Sequence, residues 1–557
     1  MISFAGTSRR ADFSMRIIAW LLCLLAVLLY SWNSDDAYHS YIMARHLVEG
    51  KGLVYNTGYR VSASTCPLLT LLEAAVFLFT DKVDLCGLLI GLLFSGAAAW
   101  VLFFWLCPSP LYCFCLLGLM VSSRCFLSFT TSGLENPLLF LCGAVFFYIY
   151  HCNETLSRKQ LFILSLLMSL LAMARTDSVL IFIPMVVWAY LVRTKVAFAS
   201  RVMLGVAGLL PFVFWTIFSI IYYGFPFPNT YYAKLYTGIP VSEYMVRGFW
   251  YYLTSWCLDP LLLFVPVLTV VICIKIKCVN RFLVPFFIGL ILYYGYVVRI
   301  GGDFMAGRHL TQQYFLCLCA IAFVMRKGRN PTPARHNIVA MIELSLIGFL
   351  WNIFIAPVVN EGILTINEAI NTRRSAVDER FFYLKTPDEY PLWKTVLFGV
   401  DCVAFRDSYS QERIASAHEA GDKGLCFGDH EENRGGWPRH KVLFGKDIYC
   451  VADYDMYLTD IIALQDPLMV RLKVRDTSNW RVGHIERDVP QGYHETIASG
   501  ENRITNPSLH EYYDKLLLVM KGPLLNKERF LTIINFNIGR YDELLDQYER
   551  IRHIGRD

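Results

Sequence analysis

Charge is scarce in this chain of 557 residues: Asp, Glu, Lys and Arg together make up 17% of it, where soluble globular domains carry roughly 25%. Apolar side chains take their place at 55%. That balance excludes an ordinary soluble protein of this length and indicates a chain that crosses a membrane many times. The 17 cysteines lack metal-ligand spacing; thirteen fall between Cys66 and Cys319, mostly inside apolar runs, where a thiol behaves as a small hydrophobe. Long blocks of one charge sign are missing too. The net charge of +5 comes from short basic loops, so no nucleic-acid partner is expected. No small-x-small cleavage site follows the first apolar stretch, residues 17–32, which is therefore expected to remain as a span. Beyond residue 357 apolar runs long enough to cross a bilayer cease.

What is present is a series of apolar stretches near the 20 residues that a spanning helix needs, recurring from residue 17 to residue 355. Lys and Arg gather on the cytoplasmic side of short loops. The basic clusters at 9–16, 158–159, 193–201, 275–281 and 326–335 are accordingly expected inside. Between them the runs 161–174 with 178–192, 203–221 with 257–274, and 282–298 with 310–325 each turn outside. Three runs (67–79, 85–106 and 111–121) separate two outer loops where an even number of crossings is required, so one of them is expected to be re-entrant or merged with its neighbour. The expectation is a polytopic α-helical membrane domain of about eleven spans over residues 1–357, followed by a soluble α+β domain on the extracytoplasmic side over 358–557. In that second part Tyr541, Leu544, Leu545, Tyr548 and Ile551 repeat at helical spacing. Residues 393–405 and 440–452 read as strands, and Trp437 and Trp480 as either packing or a sugar platform.

Four outer loops hold the reactive side chains. Asp35 and Asp36 open a helical run (Tyr38, Tyr41, Ile42, Arg45) that Gly50 and Gly52 end. The acidic pair is either a helix cap or a general base for a sugar hydroxyl, its basicity raised by partial desolvation. With Glu135 it can alternatively hold a divalent metal through oxygen; no metal and no other cofactor is the expectation. Lys234, Arg308 and His309 supply positive charge suited to a phosphate, with Arg45 as a further cation. Tyr38, Arg60, Asn229, Tyr231, Tyr232 and Asp303 complete the candidate substrate contacts. Asn229 in its Pro-rich loop equally suits a turn.

Several stretches resemble motifs of the polytopic C-superfamily (GT-C) glycosyltransferases, most closely the branch with the terminal arabinofuranosyltransferases. They are Asp35-Asp-Ala-Tyr38, Ala44-Arg-His-Leu-Val-Glu-Gly50 with the residues to Gly58, Ser64-Thr-Cys-Pro-Leu68, Thr131-Ser-Gly-Leu-Glu135, Tyr223-Gly-Phe-Pro-Phe-Pro-Asn229-Thr-Tyr-Tyr-Ala-Lys234, Gly301-Gly-Asp303-Phe-Met-Ala-Gly-Arg308 and Trp480-Arg-Val-Gly-His-Ile-Glu-Arg487. The resemblance implies a bacterial inner-membrane enzyme that moves a sugar from a polyprenyl-phosphate donor to an envelope glycan or glycolipid acceptor. It also implies an aspartate base, which maps onto Asp35 or Asp36. His46 and Cys66 depart from the family pattern and leave the donor sugar open, arabinofuranose being one candidate. A lipid or solute transporter of the envelope is the alternative, and would place ionisable groups near the bilayer midplane.

Overall fold

The computed structural model describes residues 9–235, 237–276, 283–327, 331–369, 376–383, 424–427, 455–475 and 480–554, with a few isolated positions besides. In chain order the main helices are α1 (Arg9–Leu29), α2 (Ala37–Val48), α3 (Pro67–Phe77), α4 (Val83–Trp100), α5 (Pro110–Ser122), α6 (Asn136–Cys152), α7 (Arg158–Ala174), α8 (Val179–Leu191), α9 (Phe198–Tyr223) and α10 (Asn229–Leu235). They continue as α11 (Val241–Leu258), α12 (Leu261–Lys275), α13 (Val284–Arg299), α14 (Thr311–Lys327), α15 (Pro331–Phe354), α16 (Ala356–Ala369), α17 (Tyr493–Ser499), α18 (Pro507–Lys521), α19 (Lys527–Asn537) and α20 (Asp542–Ile554). Local chemistry sets several starts. Proline occupies the first turn of α3, α5, α6 and α13, where its missing N–H costs nothing. Ser157 and Gln160 form a reciprocal capping box on α7.

Among the described residues four helices are long and apolar enough to cross a membrane: Arg9–Leu29, Val83–Leu106, Phe198–Tyr223 and Arg335–Phe354. A fifth candidate is the pair α11 and α12, bent by 90° between them. The run 257–274, expected as one straight span, therefore straddles a corner. Asp259 holds that corner: its carboxylate accepts from the Ser123 hydroxyl at 2.6 Å, the Cys125 amide at 3.0 Å and the Leu261 amide at 3.2 Å. Shorter apolar helices, including α3, α5, α8 and α13, coincide with other runs expected to span but are shorter than the candidate spans.

The chain folds into two compact units that alternate along the sequence. The first takes Met1–Ser34, Val83–Phe212 and Val241–Cys402; the second takes Asp35–Lys82, Val213–Pro240 and Val403–Asp557. In the first, residues 301–322 are buried without a break. Around them α4 packs on α6, α12 on α14, α8 on α13 and α5 on α15. Small residues permit the closest approaches, as in other membrane bundles. A Cβ added at Gly289 would lie 1.9 Å from the Ile181 carbonyl oxygen, and one at Gly248 would lie 2.3 Å from that of Val298.

In the second unit α2 packs on α3, and α18 on α19 and α20. The described strands are β1 (Gly424–Phe427) and β2 (Tyr457–Asp460), paired in parallel with Gly424 opposite Tyr457. The core joins distant segments: Ile42, Tyr55, Tyr59, Leu458, Leu468, Tyr493, Tyr513 and Leu516. The helix expected at the C-terminus is α20, whose Leu544, Leu545 and Tyr548 pack on that core. The expected strands 393–405 and 440–452, with Trp437, lie outside the described residues, and Trp480 is buried.

Candidate active site

The acidic pair Asp35 and Asp36 lies directly before α2. Asp36 occupies the N-cap position, yet its backbone is already helical and its carboxylate makes no capping bond to α2. The helix-cap role thus fails for Asp36, and both aspartates are half-buried. One turn on, His39 feels both charges: burial pushes the imidazole down, Asp36 acts to raise it and Lys234 to lower it. The Gln465 amide lies 2.9 Å from His39 Nδ1, and the Tyr55 ring stands 5.6 Å from the imidazole. Burial pushes the Tyr55 phenol well up, with Asp460 and Asp35 adding to the rise. Asp35, Asp36 and Lys234, far apart in sequence, are therefore gathered in the second unit with His39, Tyr55 and Gln465.

Arg60, Asn229 and Tyr232 are also brought together, around a small cavity they line with Tyr223, Phe225, Phe227 and Arg471. The Arg471 guanidinium lies 4.0 Å over the Phe225 ring and 4.7 Å over that of Tyr232. Much of this is scaffolding. Asn229 donates to the carbonyls of Asp466 at 2.9 Å and Ala463 at 3.3 Å, while its amide donates to Ser62 at 2.7 Å, so its side chain acts as a staple. Arg60 donates to the carbonyls of Val519 and Gly522. Tyr231 stacks on Phe227, and Tyr38 is buried edge-on to Tyr41. Arg45 pairs with Glu49 at the far end of α2, roughly 13 Å along the helix from Asp36. It is not brought to the acidic pair.

Glu135, Asp303, Arg308 and His309 meet in the first unit, in a buried ion network at helix ends. Arg175 Nη1 donates to Glu135 Oε1 at 2.6 Å, and Arg308 Nη2 donates to both Glu135 oxygens at 3.1 and 3.2 Å. Arg308 also reaches Asp303 at 3.4 Å, and Arg175 reaches Asp177 at 2.9 Å. The His309 ring stands 3.6 Å from Asp303 and 3.8 Å from Asp177, 3.1 Å from the Tyr293 hydroxyl, and its amide donates to the Tyr251 hydroxyl at 3.0 Å. Burial by itself would raise the Glu135 carboxyl, but the Arg308 and Arg175 guanidiniums outweigh it and hold it down to about 2. So acidic a group is a poor proton acceptor at neutral pH; this carboxylate is built to compensate charge. Among the described residues no group of three or more His, Cys, Asp or Glu side chains is arranged to hold a metal.

No family model, curated protein or solved structure matches the chain. The case for a site therefore rests on its own geometry. Sequence reasoning missed His39, Tyr55 and Gln465 in the second unit, and Arg175, Asp177, Tyr251 and Tyr293 in the first. His39 carried a signal, since three residues on from Asp36 is the same helix face. Arg175 and Asp177, flanking the turn between two apolar runs, carried a weaker one. Gln465 carried none, because only folding brings it to α2.

Proposed function

We propose that this protein is a membrane glycosyltransferase of the GT-C type. It moves a sugar, arabinofuranose among the candidates, from a polyprenyl phosphate to an envelope glycan or glycolipid. In this reading about eleven spans form its membrane part, in a bacterial inner membrane, and the C-terminal part is an α+β domain on the extracytoplasmic side. The observation that carries the reading is Asp36: a half-buried carboxylate at the start of a helix that it does not cap, with His39 and Lys234 close enough to feel its charge or share its field. A carboxylate in such a half-buried position can accept the proton of a sugar hydroxyl.

In the step this supports, Asp36 takes the proton of the acceptor hydroxyl as the oxygen attacks the anomeric carbon. The bond from that carbon to the phosphate oxygen breaks, and polyprenyl phosphate leaves with the electron pair. Lys234 offsets its charge by a preorganised electrostatic contact, and Asp35 shapes the field around Tyr55. The test is transfer by the purified full-length protein from a panel of polyprenyl-phosphate sugars to an envelope-lipid extract. General-base removal is expected to lower kcat about 10²- to 10⁴-fold in Asp36→Asn, with an unchanged melting temperature and a far smaller effect in Asp35→Asn. Full turnover in both variants defeats the assignment.

A transporter reading has one observation in its favour, the buried ion network of the first unit, since ionisable groups inside a helix bundle mark solute pathways. It predicts uptake into vesicles without any new covalent product.

A further inference from the structure

α9 is a 26-residue apolar helix, and the carbonyls at its C-terminal end are not left open. They are closed by side chains of α19, some 300 residues later. Arg529, wholly buried, donates to the carbonyls of Ile221 at 2.7 Å and Tyr222 at 2.9 Å, and Asn537 donates to that of Gly224 at 2.8 Å. The Phe536 ring meets Phe225 at 5.9 Å. At Gly224 the backbone turns with φ +88°, and an added Cβ would lie 2.3 Å from Val519 Cγ1 on α18 and 3.5 Å from Ile533 Cγ1 on α19, so both helices pack closely there. These bonds all lie on one face of α19, where Arg529, Thr532 and Ile533 are buried.

The other face of α19 is apolar and exposed. Leu531, Ile534 and Ile538 are 51%, 54% and 69% accessible, and Leu525, just before the helix, is 87% accessible. At i, i+3 and i+7 the three form one stripe, and exposed Lys527 and Arg540 flank it. The end of α9 is exposed in the same apolar way, at Phe214, Ile217 and Ile221. An apolar stripe with basic flanks, pinned to the end of a helix long enough to span, has the composition of an interfacial helix.

We propose that α19 lies in the headgroup layer of the bilayer that α9 crosses, with Leu525, Leu531, Ile534 and Ile538 immersed in lipid. Lys527 and Arg540 extend to the phosphates, as amphipathic cations do at an interface. The role of Arg529 and Asn537 is to set the depth of the helix by tying it to the last carbonyls of the span. The inference rests on α9 reaching a bilayer and not on the transfer chemistry, so either can fail alone.

The test replaces Ile534 or Ile538 with benzoylphenylalanine in the full-length protein, reconstituted in nanodiscs of radiolabelled phosphatidylcholine and phosphatidylglycerol. Phe214 on α9 is the lipid-facing reference and the exposed Glu501 the aqueous one. Irradiation is expected to give lipid adducts at 534 and 538 in several-fold excess over 501 and comparable with 214. Yields no higher than at 501, with 214 labelled, overturn the proposal. So do adducts to protein in place of lipid, which would assign the stripe to a second chain.

Discussion

Glu135 shows what a single side chain contributes when two cations share it. Glu135→Gln leaves half-buried Arg175 and buried Arg308 without their common counter-charge. Removing one partner of a buried ion pair costs about 3–5 kcal/mol, so the melting temperature in detergent is expected to fall well below wild type. The pH dependence has a definite sign. The folded carboxyl, at about 2, lies below its ordinary 4.5. Its stabilising contribution is therefore complete above pH 4.5 and is lost as pH falls toward 2. The shift corresponds to about 3 kcal/mol. Denaturation midpoints of wild type and Glu135→Gln should converge as pH falls from 4.5 toward 2, and parallel curves would sink the claim. Glu135 was legible as a candidate from its motif. Its partner Arg175 was not, because pairing across 40 residues is a property of the folded bundle.

At the scale of elements, periodicity served well wherever structure is local. The helix after Asp36 and its end at the glycines, the long apolar helix 198–223 and the terminal helix were all readable, since each follows from neighbours one turn away. The corner between α11 and α12 was not, because Asp259 is held there by Ser123 and Cys125 from elsewhere in the chain. Helix packing was equally hidden. Gly289 and Gly295 share α13 and look alike in sequence, yet a Cβ at the first meets the Ile181 carbonyl at 1.9 Å and one at the second meets nothing within 4 Å. Gly289→Val is accordingly expected to force α8 from α13 and to abolish a monodisperse gel-filtration peak. Gly295→Val should elute and melt as wild type does, and equal behaviour of the two variants would refute the packing argument.

For the whole molecule, the orientation reading predicts that a tag after residue 557 is accessible to protease in intact cells stripped of their outer layers, while one before residue 9 is protected; the reverse pattern would invert the proposed topology. Composition was enough to indicate a membrane protein, because the cost of burying charge in hydrocarbon leaves its mark on every span. Apolar run length, basic loops and helical spacing are likewise relations between close neighbours, so the sequence by itself carried the membrane class, the helix after Asp36 and the acidic pair that precedes it. Tertiary structure alone decided that the chain alternates between two units, that Asp36 keeps its carboxylate off the helix, and that Arg308 is committed to Glu135 and Asp303. Those outcomes depend on which residues distant in sequence become neighbours, and burial and charge compensation are set by such neighbours.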